Sequence, residues 1–232
     1  MFIINWLISL YRTIMNFLEK IDEPYINNNN IIYFDFETTG LNPFCDKIIE
    51  YAFIKENGQP NDNMERKIDY ITSLVNPNVK LSQKIKDITK INDSMLTGKQ
   101  TINKKIKKIN KFLEDAKGKK YLVAHNALAF DKIFLNENLK LIDENYDYSN
   151  IIYIDTLLLA RKLLPNLNGG YSMFNLSKYY NIESGNHRAI NDTLSLRLLF
   201  HKLVETMEEK NIHTKNDIMN YPELLVEYIG YN

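Results

Sequence analysis

Four carboxylates and one imidazole, set in three short blocks, hold most of the chemistry this sequence could perform. The blocks are Phe34-Asp35-Phe36-Glu37-Thr38-Thr39-Gly40, His125-Asn126-Ala127-Leu128-Ala129-Phe130-Asp131 and His187-Arg188-Ala189-Ile190-Asn191-Asp192. Asp35 and Glu37 stand two apart in a run of apolar β-formers, so on a strand both project from one face. Ile32, Phe34 and Phe36 take the other face. Taken singly, Asp131 reads as a helix amino-terminal acid and His125 as a structural hydrogen-bonder. Taken together, the acids need a cation, because carboxylates crowd only where something offsets their repulsion.

Convergence of Asp35, Glu37, Asp131 and Asp192 would therefore imply divalent metal. Oxygen-only ligands favour Mg²⁺, with Mn²⁺ as a substitute, over zinc. Two such ions roughly 4 Å apart suit phosphodiester hydrolysis, activating water and stabilising the leaving oxygen. His187 precedes Asp192 by five residues and sits beside Ser184-Gly185-Asn186, a loop that lets its imidazole reach the attacking water. Imidazole is the side chain best matched to taking a proton near neutrality, so His187 is the candidate general base. Asn126 either braces its loop or donates to substrate.

The elements that must position these groups follow from hydrophobic periodicity. Strands are expected at Ile31 to Phe36, Ile48 to Lys55 and Ile68 to Val75, the last two separated by Asn57-Gly58-Gln59-Pro60. The period then lengthens. Ile102, Ile106, Ile109 and Leu113 share one helix face, and Lys104, Lys105, Lys107, Lys108 and Lys111 cover much of the rest. Tyr121 to Ala124 and Ile151 to Ile154 read as strands. Helices are expected from Ile133 to Leu139, after Ile154 up to Pro165, at Phe174 to Tyr180 and at Asn191 to Val204. This order indicates an α/β mixed sheet flanked by helices.

Composition narrows the class without deciding it. The chain has 232 residues, 44% hydrophobic and 25% charged, with zero formal net charge, as in ordinary globular proteins. A single cysteine, Cys45, excludes an internal disulfide framework and fits a reducing, intracellular and cytoplasmic setting. From Lys80 to Lys120 there are 13 lysines against 4 acids, a local excess of +9. This stretch is either a phosphate-attracting face or a solvated helix surface. Residues 1–29 read as an amphipathic helix and an Asn-rich linker, and their pattern is not the one expected of a secretory signal or a spanning segment. That helix could dock on its own domain, on a partner chain or on a membrane surface. The expected organisation places a catalytic domain at 30–205 and a helical appendage at 206–232.

In chain order the blocks resemble the DEDDh three-prime exonucleases, a DnaQ-like family that includes the proofreading epsilon subunit of bacterial polymerases. The motifs are F-D-F-E-T-T-G-L at 34–41, V-A-H-N-A at 123–127, D-T-L-L-L-A-R-K-L-L-P at 155–165, Tyr171-Ser172 and H-R-A-I-N-D at 187–192. The resemblance implies a ribonuclease H-like fold. It also implies a first Mg²⁺ held by Asp35, Glu37 and Asp192, a second shared by Asp35 and Asp131, and His187 as base. Thr38 would bind the terminal nucleotide, Leu41 would wedge against its base and Asp155 would brace the fold. The spacing H-N-A-L-A-F-D carries one residue more than epsilon-type sequences, which is similar to the three-prime repair exonucleases. The expected activity is release of nucleoside monophosphates from 3′ ends, on DNA more than RNA. Alternatives are an exoribonuclease trimming RNA, or a silent nucleic-acid-binding scaffold.

Overall fold

The computed structural model describes residues 31–57, 67–116 and 120–210. The amino-terminal helix and linker expected at 1–29, and the appendage beyond 210, lie outside the described residues.

Five strands form one sheet in the order β3-β2-β1-β4-β5. They are β1 (Ile31–Thr38), β2 (Ile48–Asn57), β3 (Lys67–Leu74), β4 (Lys120–Ala124) and β5 (Ile151–Asp155). β2 runs antiparallel to both β1 and β3, whereas β4 is parallel to β1 and to β5. The three parallel strands thus point their carboxyl ends the same way, the end at which open α/β sheets bind ligands. All five strands fall where the periodicity put them, to within two residues.

Seven helices are described: α1 (Gln83–Thr89), α2 (Asp93–Leu96), α3 (Ile102–Glu114), α4 (Asp131–Leu139), α5 (Thr156–Leu163), α6 (Met173–Tyr179) and α7 (Ala189–Glu209). The first two escaped the sequence pattern because α2 is a single turn and α1 buries only Thr89, leaving no apolar stripe. Their starts carry ordinary caps, with Ser82 accepting from the Ile85 amide and Asn92 from the Met95 amide. α7 runs five residues past Val204 and buries Thr206 and Met207, so the core reaches past residue 205.

β1 is the spine because both of its faces are covered. Tyr33 packs on the α7 side with Leu196, Leu199 and Phe200. Phe34 and Phe36 face the α3 and α4 side with Phe53, Phe112 and Phe134. Burying each such ring contributes about 1.5–3 kcal/mol, so the register of β1 is strongly specified. A one-residue slip would push Asp35 into a greasy layer and Phe34 out of it. No helix among the described residues is long and apolar enough to cross a membrane.

Candidate active site

Asp35 and Glu37 emerge at the carboxyl end of β1 on its α7 face. Beyond them the strand closes into a tight loop. The Thr38 hydroxyl donates to the Gly40 carbonyl at 2.6 Å, and the Thr39 amide donates to the Lys47 carbonyl at 2.9 Å. Asp46 accepts from the Thr39 hydroxyl and the Asn42 amide, both at 2.9 Å. A Cβ on Gly40 would lie 2.6 Å from the Asp46 Cγ, so a larger residue there would displace the carboxylate that ties the loop. The loop thereby lifts Leu41 and Phe44 into solvent, at 83% and 75% exposure.

Asp131 arrives from a different direction. It opens α4 and is buried, with its Oδ1 lacking a hydrogen-bond partner. The segment before it is pinned by Asp155, which accepts from the amides of Asn126 at 3.0 Å and Leu128 at 3.1 Å, and from Leu157 at 3.0 Å. Asp155 therefore braces the loop that delivers Asp131. Asn126 adopts a left-handed φ of 65° with its side chain exposed.

His125 has a structural place. Its Nδ1 lies 3.0 Å from the Thr156 hydroxyl and the ring bonds to the backbone of Tyr171. Burial lowers its pKa to about 4, so it stays neutral.

His187 and Asp192 come from the loop before α7 and from its first turn. Ligand atoms of Glu37, His187 and Asp192 all lie within 4.8 Å of one another. The imidazole thus stands close enough to both carboxylates that one ion could touch all three residues, a closer approach than the sequence spacing implied. Gly185 permits this approach, because a Cβ there would sit 2.8 Å from the Asp192 Cα. Backbone atoms cannot yield as a side-chain tip can.

The acids repel one another in this arrangement. Burial, then Asp131, Glu37 and Asp192, hold Asp35 well above the usual carboxylate range. Burial followed by Asp192 and Glu50 pushes Glu37 up to about 8, against a lowering pull from Arg188. Asp131 is raised by burial and by Asp155. Asp192 is raised by burial and relieved in part by His187. A partnerless buried oxygen and four destabilised carboxylates at one strand end are a donor set that fits hard divalent cations.

The family model described as Exonuclease (RNase T) matches residues 32–200, most of the chain. The chain belongs to the exonuclease family. Among curated relatives, this exonuclease-family chain is 36% identical over 194 residues to a PolC-type DNA polymerase III of Oceanobacillus iheyensis. It is 32% identical over 201 residues to the corresponding polymerase of Staphylococcus aureus. The matches cover 83% and 86% of the chain but only 13% of each polymerase. Its fold is similar to Exonuclease X in complex with 5′-overhanging duplex DNA, with TM-score 0.56, 23% identity, and 81% and 99% of the two chains covered. It is also similar to the zinc-bound E. coli ExoI–ssDNA complex, with TM-score 0.63, 17% identity, and 82% and 42% covered. The structural likenesses bear out the expected mixed sheet flanked by helices, and the family match bears out the exonuclease assignment.

Three functional residues of this exonuclease fold escaped the sequence reading. Glu50 is buried on β2, directly opposite Glu37 in the β1–β2 register. It accepts from Arg188 Nη2 at 2.7 Å, from Arg188 Nε at 3.1 and 3.2 Å, and from the Ala189 amide at 3.0 Å. The pair clamps the start of α7 to the sheet beside Glu37. Gly185 is the third. An acid within an apolar strand and an arginine inside a quoted motif were visible, but nothing in the spacing joined them.

Proposed function

We propose that this chain removes nucleotides one at a time from 3′ ends of DNA, single-stranded or frayed, by metal-dependent hydrolysis. The supporting observation is the meeting of Glu37, His187 and Asp192 within 4.8 Å, beside Asp35. Asp35, Glu37 and Asp192 would hold one divalent ion, and Asp35 with Asp131 a second. Mg²⁺ is the proposed species, and Mn²⁺ the substitute. When bound, such ions polarise the phosphodiester and oppose the charge that builds on its oxygens.

The chain's own groups do the rest. His187 takes a proton from the attacking water, whose oxygen forms a bond to phosphorus. The P–O3′ bond to the upstream nucleotide breaks, and the departing 3′ oxygen acquires a proton from solvent. The products are a 5′-monophosphate and a strand shorter by one nucleotide. Leu41, largely exposed on its loop, wedges against the terminal base, and Asn126 donates to the substrate from the facing loop. Thr38 is buried with its hydroxyl committed to Gly40, so it offers the nucleotide its backbone. The proposed catalytic unit is residues 30–205 extended by the last turn of α7, whose Thr206 and Met207 complete the core. A reducing cytoplasm suits its single exposed thiol, Cys45.

Digestion of 5′-labelled oligonucleotides with Mg²⁺ tests this reading. Wild type should yield a ladder of shortened strands, and Asp35→Ala and His187→Ala should each be slower by at least about 100-fold. Equal digestion by Asp35→Ala would remove the assigned site. Matched DNA and RNA in one reaction give the sugar preference, which depends on contacts to the 2′-OH.

A further inference from the structure

We propose that the lysine face of α3 is a phosphate track. It would hold the backbone of the same strand whose 3′ end enters the carboxylate site, so this inference rests on the exonuclease reading above.

The direction of α3 follows from its neighbours. β4 begins at Lys120, next to the start of β1, since Ile31 pairs with Tyr121. α3 ends at Glu114, six residues before β4 starts, so its carboxyl end lies at the far end of the sheet. Its amino end is anchored at the near end. The Asn76 amide donates to the Gln100 carbonyl at 3.1 Å, and the Val75 amide to that of Ile49 at 2.8 Å. Ile49 stands beside the strand end that carries Glu37. α4, packed against α3, also starts at this end, and its first residue is Asp131. The first turns of α3 therefore lie one helix away from a proposed metal ligand, a separation of about 8–10 Å between axes.

The charge pattern on α3 works against the helix itself. Lys104, Lys107, Lys108 and Lys111 are all exposed, and none makes an ion pair among the described residues. Spacings of three and four make four like-charge neighbours of them, which repel along one face. Lys104 and Lys105 stand near the positive end of the helix dipole and Glu114 occupies the negative end, both unfavourable placements, while Lys111 in the last turn is the one lysine of the face that suits the dipole. Thr101 leaves the amino terminus without a side-chain cap. The buried face of Ile106, Ile109 and Leu113 accounts for the helix, but not for an unpaired cationic face that starts at the site's end of the sheet and runs along the side opposite α7. A polyanion laid along it removes the repulsion. Lys99, exposed just before α3, adds a further cation at the amino end of the track.

The test uses the full chain carrying Lys104→Gln, Lys107→Gln, Lys108→Gln and Lys111→Gln together, since glutamine keeps helix propensity. Anisotropy of a labelled 20-nucleotide single strand, measured in Ca²⁺ across a salt series, reads binding without turnover. The slope of log affinity against log salt should shrink by about 3, at roughly 0.7 per lost phosphate contact. Melting temperature should not fall. Hydrolysis of the p-nitrophenyl ester of thymidine 5′-monophosphate, which has no upstream backbone, should keep its wild-type rate. An unchanged salt slope in the quadruple variant would overturn the track. Loss of ester hydrolysis in wild type would count against the exonuclease reading, and the binding arm would still decide the track.

Discussion

Arg188 and Glu50 meet across 138 positions of sequence, and their ion pair fastens the loop of His187 to the strand facing Glu37. His187 itself adopts a left-handed φ of 56°, which a non-glycine residue holds only under constraint. Its immediate neighbour supplies that constraint. Arg188→Lys keeps the charge but loses the planar fork, so the loop should relax. Activity should fall about 10- to 100-fold, as for other groups that orient ligands, while melting temperature moves little. Steady-state kinetics with a melting scan checks this, and unchanged kinetics would remove the positioning role.

The crowded acids make stability depend on pH in a definite direction. Glu37 is raised from 4.5 to about 8, and Asp35, Asp131 and Asp192 are also raised. Each binds its proton more tightly when folded, so its contribution is full below the ordinary carboxylate value and is lost as pH rises through the folded one. In chelator, melting temperature should drop as pH climbs from 4.5 to about 8. Saturating Mg²⁺ should raise it, and by more at the alkaline end.

Asp35→Asn separates function from stability. It removes the acid whose ionisation its neighbours oppose, so above the pH at which folded Asp35 ionises the metal-free protein should melt higher than wild type. The rise should be roughly 2–4 °C for each kcal/mol of repulsion relieved. Oligonucleotide hydrolysis should be abolished. A destabilised Asp35→Asn protein in chelator would contradict the repulsive arrangement.

Gly185→Ala places a methyl group against the Asp192 backbone, 2.8 Å from its Cα. Displacement of Asp192 by about 1 Å would cost on the order of 100-fold in rate. The far-ultraviolet circular dichroism of the variant should match wild type, since the loop lies outside the core. Full activity in Gly185→Ala would show that the close approach is not required.

Much of the site was legible because local rules govern it. Period two placed Asp35 and Glu37 on one side of β1, and the strand-to-helix step placed Asp131. The remainder depended on contacts between distant segments. Glu50 sits in Ile48-Ile49-Glu50-Tyr51, which reads only as a buried strand, and its partner lies 138 residues away. α1 and α2 were missed for another reason: α2 has only 4 residues, and α1, with Thr89 its one buried residue, presents no apolar stripe to read. The role of Asp155 was implied only by resemblance, and three backbone amides now explain it.

Crystals of the wild-type chain soaked in Mn²⁺ and measured at the manganese absorption edge give the most direct test. Two anomalous peaks touching Asp35 are expected, one shared with Glu37 and Asp192 and the other with Asp131. Ordered Asp35, Glu37 and Asp192 side chains with no peak between them at saturating Mn²⁺ would contradict a metal-dependent site here.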